Sequence, residues 1–117
     1  IPQVTVNREL LQWVLENLIR NSLDAMDKPT GVIEVKSGYE QKKNQIIIEY
    51  YDNGRGILRG NQKKIFQPGM TTKKHGWGMG LALVKRIVEE YHKGKIKLVN
   101  SNSQGTQFNI SLPVERN

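Results

Sequence analysis

Two stretches of helical periodicity, each followed by two runs of strand character, set the architecture open to this chain. In the first stretch Leu11, Leu15, Leu18, Ser22 and Ala25 recur at helical spacing, flanked by Leu10, Val14, Ile19, Leu23 and Met26. Asn7 can cap this helix, with Glu9 in the first turn, where the helix dipole favours an anion. Lys28-Pro29-Thr30-Gly31 stops it. Residues 32–37 and 45–51 read as paired strands across a polar turn containing Lys42-Lys43-Asn44. A second helix is predicted over residues 78–92, apolar at Leu81, Val84, Val88 and Tyr91 and ended by Gly94. Residues 95–100 and 106–112 supply two closing strands around Ser101-Asn102-Ser103-Gln104-Gly105. This order predicts an α+β fold: a two-layer sandwich with helices on one face of a mixed, mostly antiparallel sheet.

At 117 residues the chain can bury one core, so one domain is expected over residues 1–117. Hydrophobic content of 37% with 25% charged residues reads as a soluble, globular chain rather than a disordered one. No apolar run approaches the roughly 20 residues that cross a bilayer, and Ile1-Pro2-Gln3-Val4 lacks the zones of a signal peptide. The sequence holds no cysteine, which rules out thiolate chemistry and fits a cytoplasmic domain, whether or not its parent is membrane-anchored. The formal net charge of +7 favours anionic partners, but the basic residues are spread along the chain rather than gathered on one segment. With Trp13 in a helix pattern and Trp77 in a glycine-rich loop, a basic and aromatic nucleic-acid face is not expected.

Four clusters carry candidate chemistry. Asn17, Asn21 and Asp24 stand at i, i+4 and i+7 on the first helix and so share one side. Buried amides without partners cost about 1–3 kcal/mol each, so these either face water or find a partner such as a hard cation. Next, Asp52-Asn53-Gly54-Arg55-Gly56 follows an apolar strand; the carboxylate can accept a hydrogen bond from an exocyclic amine, and the glycines allow close backbone approach. Asn-Gly is also a strong turn dipeptide, although no alternating return strand follows Ile57. The segment from Asp52 to Lys74 is rich in Gly, Lys, Gln and Thr, with a short helix predicted over residues 61–66, and its length points to a functional loop. Third, Gly76, Gly78 and Gly80 precede the second helix, where free backbone N–H groups can hold phosphate. Neither the P-loop nor the dinucleotide fingerprint matches there. Fourth, Gly105-Thr106 opens the last strand and by itself is an ordinary turn.

Taken in order, Glu16-Asn17-Leu18-Ile19-Arg20-Asn21, Asp52-x-Gly54-x-Gly56, the Gly76 to Gly80 loop and Gly105-Thr106 resemble the nucleotide site of the GHKL superfamily, over nearly the whole chain. Ile65-Phe66-Gln67-Pro68-Gly69-Met70-Thr71-Thr72-Lys73 is similar to the F-box of bacterial sensor histidine kinases, and Gly80-Leu81-Ala82-Leu83-Val84-Lys85-Arg86 is also typical of them. The resemblance implies a Bergerat fold with a flexible ATP lid. Asn21 would ligate the Mg²⁺ that bridges the triphosphate, with Asn17 assisting. Asp52 would bind adenine, with Gly54, Gly56, Ile57 and Thr106 around the base. Thr72, Lys73, Gly76, Gly78, Met79, Gly80 and Leu81 would form the lid and phosphate contacts. Catalysis would rest on Asn17, Asn21 and Lys73.

The reaction so implied is transfer of the γ-phosphoryl group of ATP to a histidine, within two-component signal transduction. In ATPase branches of the superfamily a Glu four residues before the metal Asn activates water. Here Asn17 holds that position and Glu16 lies about 100° round the helix. The chain also departs from the pattern of many sensor kinases: Asp24 replaces a Lys, leaving Arg20 or Lys73 to neutralise phosphate, and Gly69 replaces a bulky residue. His75 and His92 lack the His-Glu or His-Asp context of a phosphoacceptor. The expected partner is therefore a histidine-bearing dimerisation domain of the same parent kinase, with a response regulator downstream. A serine kinase of the anti-sigma type and an ATPase of the MutL type are the alternatives on the same fold.

Overall fold

The computed structural model describes residues 6–68 and 80–114. Helix α1 spans Arg8–Asp24, and the Asn7 side chain caps it by accepting the Leu10 N–H at 3.0 Å. Glu9 sits in the first turn, where the helix dipole favours it. Val14, Leu18 and Ser22 are the buried stripe, at successive i+4 steps that keep one face toward the sheet. Among the described residues no helix is long and apolar enough to cross a membrane.

Strands β1 (Ile33–Glu40), β2 (Gln45–Asp52), β3 (Lys95–Asn102) and β4 (Gly105–Pro113) form one sheet in the order β1-β2-β4-β3. Every pairing is antiparallel, so among the described residues the predicted mixed sheet narrows to an antiparallel one. The last strand in the chain thus lies in the middle of the sheet. Its composition explains why: Thr106, Phe108, Ile110 and Leu112 alternate inward and are all buried, while Gln107, Asn109 and Ser111 face the other side. Strand β1 is an edge strand exposed along most of its length, with Val35 and Tyr39 outside the helical cover. Two strands run further than their propensities indicated, β1 to Glu40 and β3 to Asn102, because pairing with β2 and β4 continues to the turns. A bulge between Leu98 and Asn100 absorbs one residue of β3.

Between β2 and β3 the chain makes a 3-10 turn at Arg59–Lys64, earlier and tighter than the short helix predicted over residues 61–66. Phe66 then packs edge-on against Phe108 with ring centroids 6.1 Å apart, and Lys85 Nζ lies 5.7 Å from the Phe66 centroid. Helix α2 spans Gly80–Arg86 and widens into a π-helical turn at Ile87–Tyr91. The cause is local. His92 turns its ring inward, its Nδ1 lying 2.9 Å from the Ile87 carbonyl, and the Gly94 N–H reaches back to the Val88 carbonyl at 2.9 Å. His92 Nε2 accepts the Asn7 N–H at 2.9 Å, which places the ring proton on Nδ1. One side chain therefore joins the end of the α2 segment to the start of α1.

The core lies between these helices and the inner face of β2, β4 and β3, around Val14, Leu18, Tyr50, Val84, Val88 and Ile110. Gly94 passes so close to β4 that a Cβ would stand 2.1 Å from the Ser111 carbonyl oxygen. Urea unfolding should show Asn7→Ala costing about 1 kcal/mol through the lost cap, since the backbone bond to His92 survives that change. Gly94→Ala should cost more, because backbone must move; a Gly94→Ala domain as stable as its parent would refute the close packing described here.

Candidate functional site

Strand β2 alternates Ile48, Tyr50 and Asp52 toward the helices, which carries a carboxylate into the core at the strand's end. Asp52 is 5% exposed, and each of its oxygens has a donor: Ser22 Oγ gives its proton to Oδ2 at 2.7 Å, and the Gly54 N–H reaches Oδ1 at 2.9 Å. Ser22 Oγ also lies 2.7 Å from the Tyr50 hydroxyl. A serine has a single hydroxyl proton, and Asp52 holds it, so Tyr50 is the donor in that contact. Burial pushes the Tyr50 hydroxyl above the ordinary tyrosine value; the Ser22 bond opposes the shift and the nearby Asp52 charge adds to it. The protons of this chain all point toward the carboxylate.

Thr106 is the β4 register partner of Asp52 and is buried beside it. Its Oγ1 lies 2.8 Å from Ser101 Oγ, which also accepts the Ile57 N–H at 2.7 Å. Ile57 is half-buried against the core, so Asp52, Thr106 and Ile57 are fixed on one rim. The segment after Asp52 is not a hairpin turn. It crosses the end of α1, where the Arg55 N–H donates to the Ala25 carbonyl at 2.9 Å, and then passes the β3–β4 turn. A Cβ on Gly54 would meet the Ala25 oxygen at 2.8 Å, and one on Gly56, at φ +82°, would meet the Asn102 oxygen at 2.1 Å. A Cβ on Gly105 would stand 2.0 Å from the Asp52 carbonyl oxygen. These glycines are demanded by the protein's own backbone crossings, whatever else they allow.

The amide stripe of α1 leads from this rim toward α2. Asn17 Nδ2 donates to the Trp13 carbonyl one turn back at 2.9 Å, and a Cβ on Gly80 would lie 3.2 Å from Asn17 Oδ1. The amide oxygen, the atom able to ligate a hard cation, thus faces the first residue of α2. Asn21 is half-buried one turn on and adjoins Ser22, the residue bonded to Asp52. Leu81 packs against the core from the start of α2. Glu16 is exposed and accepts the Gln12 amide at 3.1 Å, on a different side of the helix from Asn17. Thr72, Lys73, Gly76, Gly78 and Met79 lie outside the described residues. Among the described residues no group of three or more His, Cys, Asp or Glu gathers to hold a metal, so a cation here would need oxygens from a ligand. A hollow of about 220 Å³ lined by Glu34, Lys36, Glu49, Tyr51 and Gln107 opens on the opposite face of the sheet, away from the Asp52 carboxylate.

Sequence reasoning missed two residues at this rim. Ser22 was counted within the apolar stripe of the first helix, yet a hydroxyl at a core position signals a buried polar partner. Tyr50 stands two residues before Asp52 and so shares its face.

A family model described as "Histidine kinase-, DNA gyrase B-, and HSP90-like ATPase" matches residues 6–116. Among curated proteins, the chain is 38% identical over 111 residues to the signal transduction histidine-protein kinase AtoS of Escherichia coli, covering 95% of this chain and 18% of AtoS. It is 36% identical over 114 residues to the sensor histidine kinase ZraS of Salmonella typhimurium, covering 97% of this chain and 24% of ZraS. The chain therefore spans less than a quarter of these relatives' length. Among solved structures, the catalytic domain of histidine kinase ThkA superposes with a TM-score of 0.79 at 31% identity, covering 94% of this chain and 70% of that one. Full-length ShkA in complex with AMPPNP shares the fold, with a TM-score of 0.83 at 20% identity over 100% of this chain and 24% of that one. With its amide-bearing helix, its buried strand-end carboxylate and a family match that spans nearly every residue, the chain belongs to the histidine kinase-, DNA gyrase B- and HSP90-like ATPase family.

Proposed function

We propose that this chain is the ATP-binding catalytic domain of a sensor histidine kinase, binding Mg-ATP and passing the γ-phosphoryl group to a histidine on a separate dimerisation domain of the same parent. The observation that carries the reading is the Asp52 carboxylate, buried beside Thr106 and held by Ser22 and Gly54. A charge-bearing acceptor so fixed suits an exocyclic amine, and Asp52 takes that of adenine. Thr106, Ile57 and the Gly54–Gly56 backbone border the base.

From the base, the triphosphate runs along the amide face of α1 toward Gly80 and Leu81. Asn21 would hold Mg²⁺ through its side-chain oxygen, and the Asn17 oxygen, oriented by the amide bond to the Trp13 carbonyl, would assist. The ion supplies charge neutralisation on the phosphate oxygens. The resemblance assigns the phosphate contacts to Thr72, Lys73, Gly76, Gly78 and Met79, with Lys73 at the γ-phosphate; all five lie outside the described residues. An imidazole nitrogen of the partner domain attacks the γ-phosphorus as the bond to the β–γ bridging oxygen breaks. ADP leaves with that oxygen, and the imidazole sheds its N–H proton. Positioning and electrostatics do most of the catalytic work in such a transfer.

Transfer is favoured over hydrolysis by the groups near Asn17. Glu16 stands on a different side of the helix from Asn17 and is engaged by Gln12. Asn17 is a poor general base for water. A parent kinase carrying this domain would act with a response regulator downstream.

Calorimetry with Mg-ATP should show Asp52→Asn weakening binding ten- to hundredfold, the usual scale for losing a hydrogen bond to a charged group. Unchanged affinity would remove Asp52 from nucleotide recognition. Incubated with ATP and the parent's histidine-bearing domain, the chain should yield an acid-labile phosphoryl product on that domain. An acid-stable product would instead indicate a serine acceptor, and brisk turnover with no acceptor present would indicate an ATPase.

A further inference from the structure

We propose that Ser22 and Tyr50 are positioning residues that set base specificity: their hydroxyl relay holds Asp52 as a fixed acceptor, selecting a 6-aminopurine nucleotide over a 6-oxopurine one. The inference rests on Asp52 recognising the base, as proposed above, and adds to it two residues with a stated job.

An ionised carboxylate is acceptor-only, with about four lone-pair positions. Ser22 takes one at 2.7 Å and the Gly54 N–H takes one on the other oxygen at 2.9 Å. These two bonds fix the plane of the carboxylate and leave acceptor capacity for an incoming amine. Tyr50 supplies the direction. Tyr50 is almost wholly buried, at 1% exposure, and its hydroxyl lies 2.7 Å from Ser22 Oγ. While Tyr50 donates to Ser22, the serine proton is committed to Asp52, and each bond polarises the next. Running the chain backwards would require a protonated Asp52 and would leave the Tyr50 proton in the core without its acceptor, at a desolvation cost of that buried group. Burial also keeps the phenol in its protonated, donating form.

Specificity follows from that direction. An amine N–H meets an acceptor, whereas a 6-oxo oxygen meets a second oxygen, and the mismatch leaves both unpaired. Cutting the relay removes a donor from the carboxylate of a residue that is only 5% exposed. Asp52 can then rotate, and the fixed acceptor that favours an amine over a 6-oxo oxygen is lost. Discrimination should fall by a larger factor than overall stability would explain.

The test is calorimetric titration of Mg-ATP and Mg-GTP into this chain and its variants, with urea unfolding run alongside. Ser22→Ala leaves the Tyr50 hydroxyl without its acceptor, so the double variant Ser22→Ala/Tyr50→Phe is included; it removes both hydroxyls and should unfold no more readily than Ser22→Ala alone. Expected is a fall of about tenfold in the ATP-to-GTP affinity ratio for both Ser22→Ala and the double variant, the scale of one hydrogen bond to a charged group. Tyr50→Phe should give a smaller fall in the same direction. If Asp52→Asn collapses the ratio while folded Ser22→Ala and double variants keep it, the relay is overturned and the two residues only pack. If Asp52→Asn itself leaves the ratio unchanged, the reading of Asp52 as the base-recognising group fails, and the relay fails with it.

Discussion

A carboxylate can enter a protein core only if its charge is met there, and the arrangement around Asp52 is built on that requirement. Leaving such a group unpaired would cost several kcal/mol or force it to neutralise. The sheet delivers Asp52 to the inner face by simple alternation along β2, and α1 answers with Ser22 in the same buried stripe as Val14 and Leu18. The register of α1 over the sheet is therefore held by a directional bond as well as by apolar packing. Turning the helix by one residue would move Ser22 about 100° away and bring a different side chain over the carboxylate.

The same end of the sheet is crowded with backbone. The chain leaves β2, crosses the end of α1, passes the β3–β4 turn and returns at β4, so that Gly54, Gly56 and Gly105 each sit where a Cβ would overlap a carbonyl oxygen. Lys28 ties the crossing together from outside, donating to the Gly54 and Ser103 carbonyls at 3.2 and 3.0 Å. A rim so tightly cross-connected keeps the acceptor atoms where they are, which is what recognition of a rigid planar base requires.

At the other end of the helical layer the coupling runs through His92. Its ring bridges the π-helical turn and the α1 cap, so that the segment leading away from Gly80 and the helix bearing Asn17 and Asn21 share an anchor. The two helices that frame the proposed phosphate path are thereby held to each other beyond the contacts of their apolar faces. Strand β1, by contrast, contributes pairing to β2 and little cover, and the sheet face lined by Glu34, Lys36 and Glu49 is a solvated surface.

Much of this was written in local pattern. Helical spacing from Leu11 to Ala25, the Asn7 cap, four strand-like runs and their order were enough for an α+β sandwich, because each is a short-range consequence of side-chain period and backbone preference. The four clusters, read in order, resembled a known nucleotide site and through that resemblance named Asn17, Asn21, Asp52 and Thr106 as candidates. What local pattern could not contain was long-range pairing. That β4 would lie between β2 and β3, that Thr106 would pair with Asp52, and that Ser22 would bond Asp52 depended on how the layers met. The glycines after Asp52 looked like room left for a ligand, and the fold shows them answering first to carbonyls of Ala25 and Asn102, far away in sequence. Beside the π-helical turn, one histidine reaches two elements at once. Periodicity and composition determined which segments would be helix or strand and which face of each would be buried. The partners of the buried polar groups were decided only by tertiary structure, because a hydrogen bond between distant residues depends on where packing brings them.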